Sequence, residues 1–156
     1  AHVSVAEPVE KQLQKMMVEA CKEAGVKYGD GGSYICIEGP QFSSKAESHI
    51  YRSFGASVIG MTNVPESYLA KEAGIAYATI AMVTDYDCWK EEHCTLDEIM
   101  KVMATNNQQV HRVLNILLPN LQKNLFTYKR ENTYAVLSKP EKMTEAQTHA
   151  LEVLMR

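Results

Sequence analysis

Asp85 and Asp87 follow Ile75 to Val83, the most apolar run of the chain, and are separated by one residue. In an extended segment residues i and i+2 point to the same side, which would turn both carboxyls one way. Carboxylates held together at the end of an apolar strand repel each other and lose solvation, so at least one takes a raised pKa. A protonated carboxyl donates to a ring nitrogen of a heterocycle, and an ionised one accepts from an exocyclic amine. A pair of solvated loop acids has the same spelling, and spacing alone does not separate the two. Phe42 follows Gly39-Pro40, where its ring either stacks on a flat ligand or enters the core. Thr62 stands at the start of a helix, where unpaired amides and the helix dipole favour an anion; an ordinary N-cap uses the same residue type.

These residues need elements that bring them together. Pro8, the apolar series Val9, Leu13, Met16, Met17, Ala20 and Ala24, and the stop Gly25 predict a helix over 8–24. A β-rich run covers Ser33 to Ile37, and Ser44-Lys-Ala-Glu47 is a capping box opening a helix that Gly55 ends. Ser57 to Met61 reads as a strand, Val64 to Ala73 as a helix closed by Gly74, and Ile75 to Val83 as a third strand. A second capping box, Thr95-Leu-Asp-Glu98, opens a long helix with Ile99, Met103, Val110, Val113, Leu114 and Leu117, which Pro119 is expected to end. Residues 120 to 143 are polar and irregular, apart from a short strand at Tyr134 to Leu137, and 144 to 155 suit an amphipathic helix.

Alternating strands and helices at these intervals predict an α/β fold: part of a mixed, mostly parallel sheet flanked by helices. In such sheets ligands bind beyond the carboxyl ends of the strands. That places Glu38 to Phe42, Gly60 to Thr62 and Thr84 to Asp87 at one end. Three strands are only part of a sheet, and their edges need cover.

Composition sets the outer limits. With 156 residues, 46% hydrophobic and 22% charged, the chain suits one globular domain. A net charge of -3 argues against nucleic acid as a partner, and no apolar run is long enough to cross a bilayer. Four cysteines without a secretory signal read as reduced thiols. Cys88, His93 and Cys94 come nearest to a metal pattern but match no paired zinc-ligand spacing, so no metal is expected. His2, His49, His111 and His149 stand alone.

Larger blocks then carry a resemblance. They are Ile37-Glu-Gly-Pro-Gln-Phe-Ser43, Ala46-Glu-Ser48, Val58-Ile-Gly-Met-Thr-Asn-Val-Pro-Glu66, Leu69-Ala-Lys-Glu-Ala-Gly74 and Ile80-Ala-Met-Val-Thr-Asp-Tyr-Asp-Cys-Trp-Lys90. In order and interval they resemble the methylthioadenosine phosphorylases, a branch of the purine nucleoside phosphorylases, over about residues 2 to 118. The resemblance implies a nucleoside phosphorylase-like sheet completed by a missing N-terminal half. Residues 1–156 would be the C-terminal part of a single domain, with 120–156 a tail of uncertain structure. Ala1 would lie near a junction, and the other half would be a separate chain of the same enzyme.

The implied reaction is phosphorolysis of 5′-methylthioadenosine to adenine and 5-methylthioribose 1-phosphate, in purine and methionine salvage. Phe42 would pack on the purine, Met61 under the ribose, and Thr62 against phosphate. Asp85 would act as general acid at N7 and Asp87 would hold the 6-amino group. Leu96 and Ile99 would receive the methylthio end. Gly60 stands where some members have Asn, and the loop Glu91 to Thr95 is shorter than in the family. The family's Gly-rich phosphate loop, its Arg-His pair and a further Thr belong to the N-terminal half, so Thr62 is the one implied phosphate ligand present. No organic cofactor is implied, phosphate being the co-substrate. A homotrimer of the complete unit and a cytoplasmic location, the nucleus being left open, are expected. The alternatives are a phosphorylase of 6-oxopurine nucleosides, which a carboxylate at Asp87 disfavours, and a non-catalytic subunit.

Overall fold

The computed structural model describes residues 2–90 and 94–155, which gather into two compact units. One unit holds Lys15–Asn63 and Ile80–Asn124. The other holds the N-terminal residues to Gln14, Val64–Thr79 and the residues from Leu125 onward.

The first unit contains one strand–helix–strand crossover. Strand β1 (Tyr34–Cys36), helix α2 (Lys45–Ser53) and strand β2 (Val58–Gly60) follow one another, and β1 pairs in parallel with β2. The register sets Tyr34 opposite Val58, Ile35 opposite Ile59 and Cys36 opposite Gly60. Helix α2 opens where its capping box predicts: Glu47 accepts the Ser44 amide at 2.7 Å while the Ser44 hydroxyl accepts the Glu47 amide at 3.3 Å. Helix α1 (Lys11–Ala24) ends at Gly25, whose φ of 63° only glycine adopts freely. It begins three residues later than Pro8 suggests. The Glu10 carboxylate accepts the Leu13 amide at 2.7 Å, so an acid caps the helix and Pro8 stays outside.

The core of this unit lies between α1 and α4 (Leu96–Lys123), where Ala20 and Ala24 meet Val113 and Leu117. Spacings of four put each pair on one helical face, and alanines let the two axes approach closely. Met16, Met17, Ile80, Leu114 and Leu121 pack around them. Arg112 donates to the carbonyl of Ala24, satisfying an end carbonyl of α1. The Thr95–Glu98 capping box opens α4 as expected. Pro119 does not end it. Leu117 is buried before the proline and Leu121 packs on the same cluster after it, so burial on both sides outweighs one lost amide.

The expected strand Ile75 to Val83 is absent. An apolar run reads as an interior parallel strand, but a strand forms only where neighbouring backbone supplies a ladder. Among the described residues β1 and β2 pair with each other and the run joins neither. The Val83 carbonyl instead accepts the Asn106 side-chain amide at 2.8 Å, and Met82 and Val83 are exposed.

In the second unit, helix α3 (Asn63–Glu72) carries an extended Val64, as a residue before proline prefers, so regular turns start at Pro65. Its other end is clasped by the chain beyond 125. Lys71 pairs with Glu131 at 3.1 Å, Asn132 donates to the Glu72 carbonyl at 2.9 Å, and Arg130 donates to that of Ala73 at 3.1 Å. Cationic and amide donors there complement the carbonyl end of the helix dipole. Tyr134 to Leu137 is not a strand. A 3₁₀ turn occupies Asn132–Tyr134, Ala135 is buried, and its carbonyl accepts the His2 amide at 2.8 Å, a single bond rather than a ladder. Helix α5 (Glu145–Leu154) matches the expected amphipathic stretch and begins with a third capping box, Thr144 with Gln147. Among the described residues no helix is long and apolar enough to cross a membrane.

Candidate functional site

Every residue singled out for chemistry lies in the first unit, and three loops there meet through side-chain contacts. β1 runs into Glu38 to Ser43. Gly39 has φ 73°, which strains any other residue, and a Cβ on it would stand 2.7 Å from the Met61 sulfur and push that side chain aside. The first loop therefore folds against the residue that follows β2. Gly60 is constrained by space alone: the Tyr34 hydroxyl stands where its Cβ would be. The register explains this, since Tyr34 and Gly60 share one face of the β1–β2 pair.

Phe42 leaves 86% of its surface open and lines an open cleft of about 380 Å³. Ile35, Ile37, Glu38, Ser43 and Tyr51 form other walls of it. Glu47 also lines the cleft. The Ser44 amide, and then its hydroxyl, hold the Glu47 carboxyl below its usual pKa, so it presents an anion and no proton. Of the two readings of Phe42, the exposed ring is the one observed.

The third loop is docked onto α2 and the first loop. Cys88 donates from its thiol to the Ser43 carbonyl at 3.3 Å. The Arg52 guanidinium lies 3.6 Å over the Trp89 ring, and Tyr86 meets that ring edge-on at 5.9 Å. Lys90 caps Tyr86 at 4.5 Å. Asp87 opens the 3₁₀ turn Asp87–Trp89 with φ 57°, a left-handed value that Asp tolerates better than most residues.

That turn corrects the sequence reading of the two aspartates. The chain is not extended through Tyr86 and Asp87, so the argument that both carboxyls share one side lapses. Asp85 is exposed and Asp87 half-buried. The burial expected at Asp85 is thus not supplied by the described residues, and its Oδ1 accepts only a long contact of 3.5 Å from Thr84. Thr62 is exposed, but Val64 is extended and the regular turns of α3 start at Pro65, so Thr62 stands ahead of the helix entry rather than at it, and the helix-start argument for an anion there is weakened. Leu96, with 73% of its surface open, and half-buried Ile99 lie one turn apart at the start of α4. The contacts above do not involve them. His93, third member of the weak metal pattern, and Glu91 and Glu92 of the short loop lie outside the described residues. Among the described residues no three His, Cys, Asp or Glu gather so as to hold a metal ion.

Sequence reasoning passed over Arg52, Trp89 and Tyr34. Arg52 reads as a routine surface charge near the end of a helix, and nothing in its spacing points 37 residues ahead to Trp89.

The phosphorylase superfamily model matches residues 1–119. An S-methyl-5′-thioadenosine phosphorylase of Thermofilum pendens is 47% identical over 121 residues, 78% of this chain and 46% of that protein. A methylthioadenosine phosphorylase from an antarctic soil metagenomic library superposes with a TM-score of 0.89 at 36% identity, over 99% of this chain and 56% of that one. A variant of the adenosine/methylthioadenosine phosphorylase of Schistosoma mansoni, in complex with methylthioadenosine, gives 0.74 at 29% identity over 79% of this chain and 48% of that one. The chain spans about half the length of the curated relatives it matches.

Proposed function

The chain belongs to the phosphorylase superfamily, and from that premise we propose that it is the C-terminal part of a single-domain phosphorylase acting on 5′-methylthioadenosine. The observation that carries this reading is the meeting of three loops that bear Phe42, Met61 and Asp87, through the Gly39–Met61, Cys88–Ser43 and Arg52–Trp89 contacts.

In this reading the purine stacks on the exposed Phe42 ring and the ribose rests on Met61. Phosphate binds at Thr62 and attacks C1′ as the C1′–N9 bond breaks. The departing adenine is a poor leaving group as an anion, so a proton delivered to N7 is the main chemical task, and Asp85 supplies it. Asp87, as acceptor, holds the 6-amino group. Leu96 and Ile99 receive the methylthio group. Phosphate is the nucleophile and co-substrate, and no organic cofactor is needed.

The chain is proposed to work only with the part of the relatives' length that it does not span. The one to two negative charges on phosphate need Arg or His beside Thr62, and Ile75, Met82 and Val83 are apolar side chains left exposed for further chain to cover. Burial of Asp85 would come from the same source. A trimer of the complete unit, a cytoplasmic location and a place in purine and methionine salvage complete the proposal.

The test compares residues 1–156 alone with the protein extended to its relatives' length. The extended protein is expected to release adenine from methylthioadenosine in step with added phosphate. The isolated chain is expected to aggregate and release none. A soluble, monomeric, active 156-residue chain would overturn the account of the phosphate site, and an inactive extended protein would overturn the reaction.

A further inference from the structure

We infer that Arg52 is a positioning residue for purine selection, acting through Trp89 on the turn that carries Asp87; this rests on the function proposed above. The geometry comes from three contacts. Arg52, in the last turn of α2, stacks on the Trp89 ring at 3.6 Å, a van der Waals separation at which a cation and an indole face attract. Trp89 closes the 3₁₀ turn that Asp87 opens. Tyr86, on the other side of Asp87, packs its ring against the same indole at 5.9 Å. The residue before Asp87 and the last residue of its turn are thus joined through one indole, and that indole is pinned to α2. The third contact, Cys88 to the Ser43 carbonyl, ties the turn to the loop that holds Phe42. Helix α2 follows that loop directly through its Ser44 cap. One short helix therefore sets both the proposed stacking ring and the proposed purine carboxylate.

The reason a clamp is needed lies at Asp87. Its φ of 57° is a conformation that a non-glycine residue keeps only when surrounding contacts hold it. An ionised carboxylate distinguishes a 6-amino from a 6-oxo purine by direction: it accepts from the amine and repels the carbonyl oxygen. If the turn drifts, the carboxylate can swing away from O6, and the penalty against the oxo base falls. Arg52 is suited to the task because its guanidinium is planar and permanently charged, whereas a lysine ammonium is a point charge on a flexible stem.

The experiment uses the extended protein with adenosine, inosine, methylthioadenosine and inorganic phosphate as probes. Arg52→Ala is expected to raise KM for methylthioadenosine about 3- to 30-fold, the effect of one cation–π contact on an equilibrium. It should lower the adenosine-to-inosine preference and leave KM for phosphate unchanged. Arg52→Lys, which keeps the charge and loses the plane, should restore part of the preference. Equal losses on both nucleosides, or an unchanged preference, would overturn the assignment, since a general structural role predicts the former and no role the latter. If Arg52→Ala does not fold, the ring decides: Trp89→Leu should lose the preference and Trp89→Phe should keep it, and equal preference in the two overturns the proposal. Failure of the unsubstituted protein to split methylthioadenosine would instead remove the functional reading, and this inference with it. A working protein with an indifferent Arg52 removes the inference alone.

Discussion

Between α1 and α4, Ala20 and Val113 leave 1% and 2% of their surface open; on the loops of the candidate site Phe42 leaves 86% and Tyr86 61%. Both regions belong to one compact unit, yet the first is closed by the chain's own residues and the second is not. Helix packing is satisfied by apolar area from any direction, so two faces of one chain suffice. A binding site needs particular polar groups at particular places, and in the proposed function the loops supply some of them and the length that the chain does not span supplies the rest. Scaffold and chemistry should therefore respond to substitution separately.

Substitution at the site should act on turnover and selectivity and leave stability alone. In the extended protein Asp85→Asn is expected to lower kcat about 10²- to 10⁴-fold, the usual share of a general acid, with the thermal midpoint unmoved. Full activity in the variant would remove Asp85 from the mechanism. The core should do the reverse. Leu117→Ala empties a buried contact and is expected to lower stability by about 2–5 kcal/mol, read as a fall in the urea midpoint. The adenosine-to-inosine ratio should stay constant, and a changed ratio would show that core and loops are coupled. Asp87→Asn sharpens the comparison within the loops. An amide can donate to O6, so the preference should move toward inosine by about tenfold while stability holds. An unmoved preference would take the 6-amino contact away from Asp87.

The smallest effect concerns the caps. Glu47 and Glu98 are held below the usual carboxylate pKa, first by the backbone amides and then by the hydroxyls of Ser44 and Thr95. A depressed folded-state pKa gives stability that is present above the unfolded value, near 4.3, and is lost as pH falls through the lower folded value. Helicity should thus decline on acidification below about pH 4.5. Glu47→Gln keeps the box and loses its share of that dependence, and an identical acid profile in the variant would show that the α2 cap does not contribute.

How much of this was legible depended on how far apart the deciding residues lie in the chain. Capping boxes are written within four residues, and Ser44–Glu47 and Thr95–Glu98 start their helices where the spelling says. Thr144–Gln147 has the same spelling and was passed over, although the helix behind it was expected. Pro119 shows local preference yielding to packing, because Leu117 shares a buried cluster with α1 residues about a hundred positions away and Leu121 packs against that cluster. Ile75 to Val83 fails for the opposite reason: its apolar pattern describes an environment, and a strand is a relation to a second backbone that no pattern contains.

By itself, then, the amino-acid sequence determined where helices form, though not the start of α1 or the end of α4, and with them the β1–α2–β2 crossover, the family and the residue types on the three loops. These follow from short-range periodicity, from capping within one turn, and from motifs that keep their order along the chain. Only the tertiary structure decided that Asp87 sits in a left-handed turn, that Asp85 is exposed, and that Arg52 lies over Trp89. The physical reason is that burial, turn geometry and stacking depend on which distant residues are neighbours, and the contact across 37 positions from Arg52 to Trp89 leaves no mark in the local spelling of either segment.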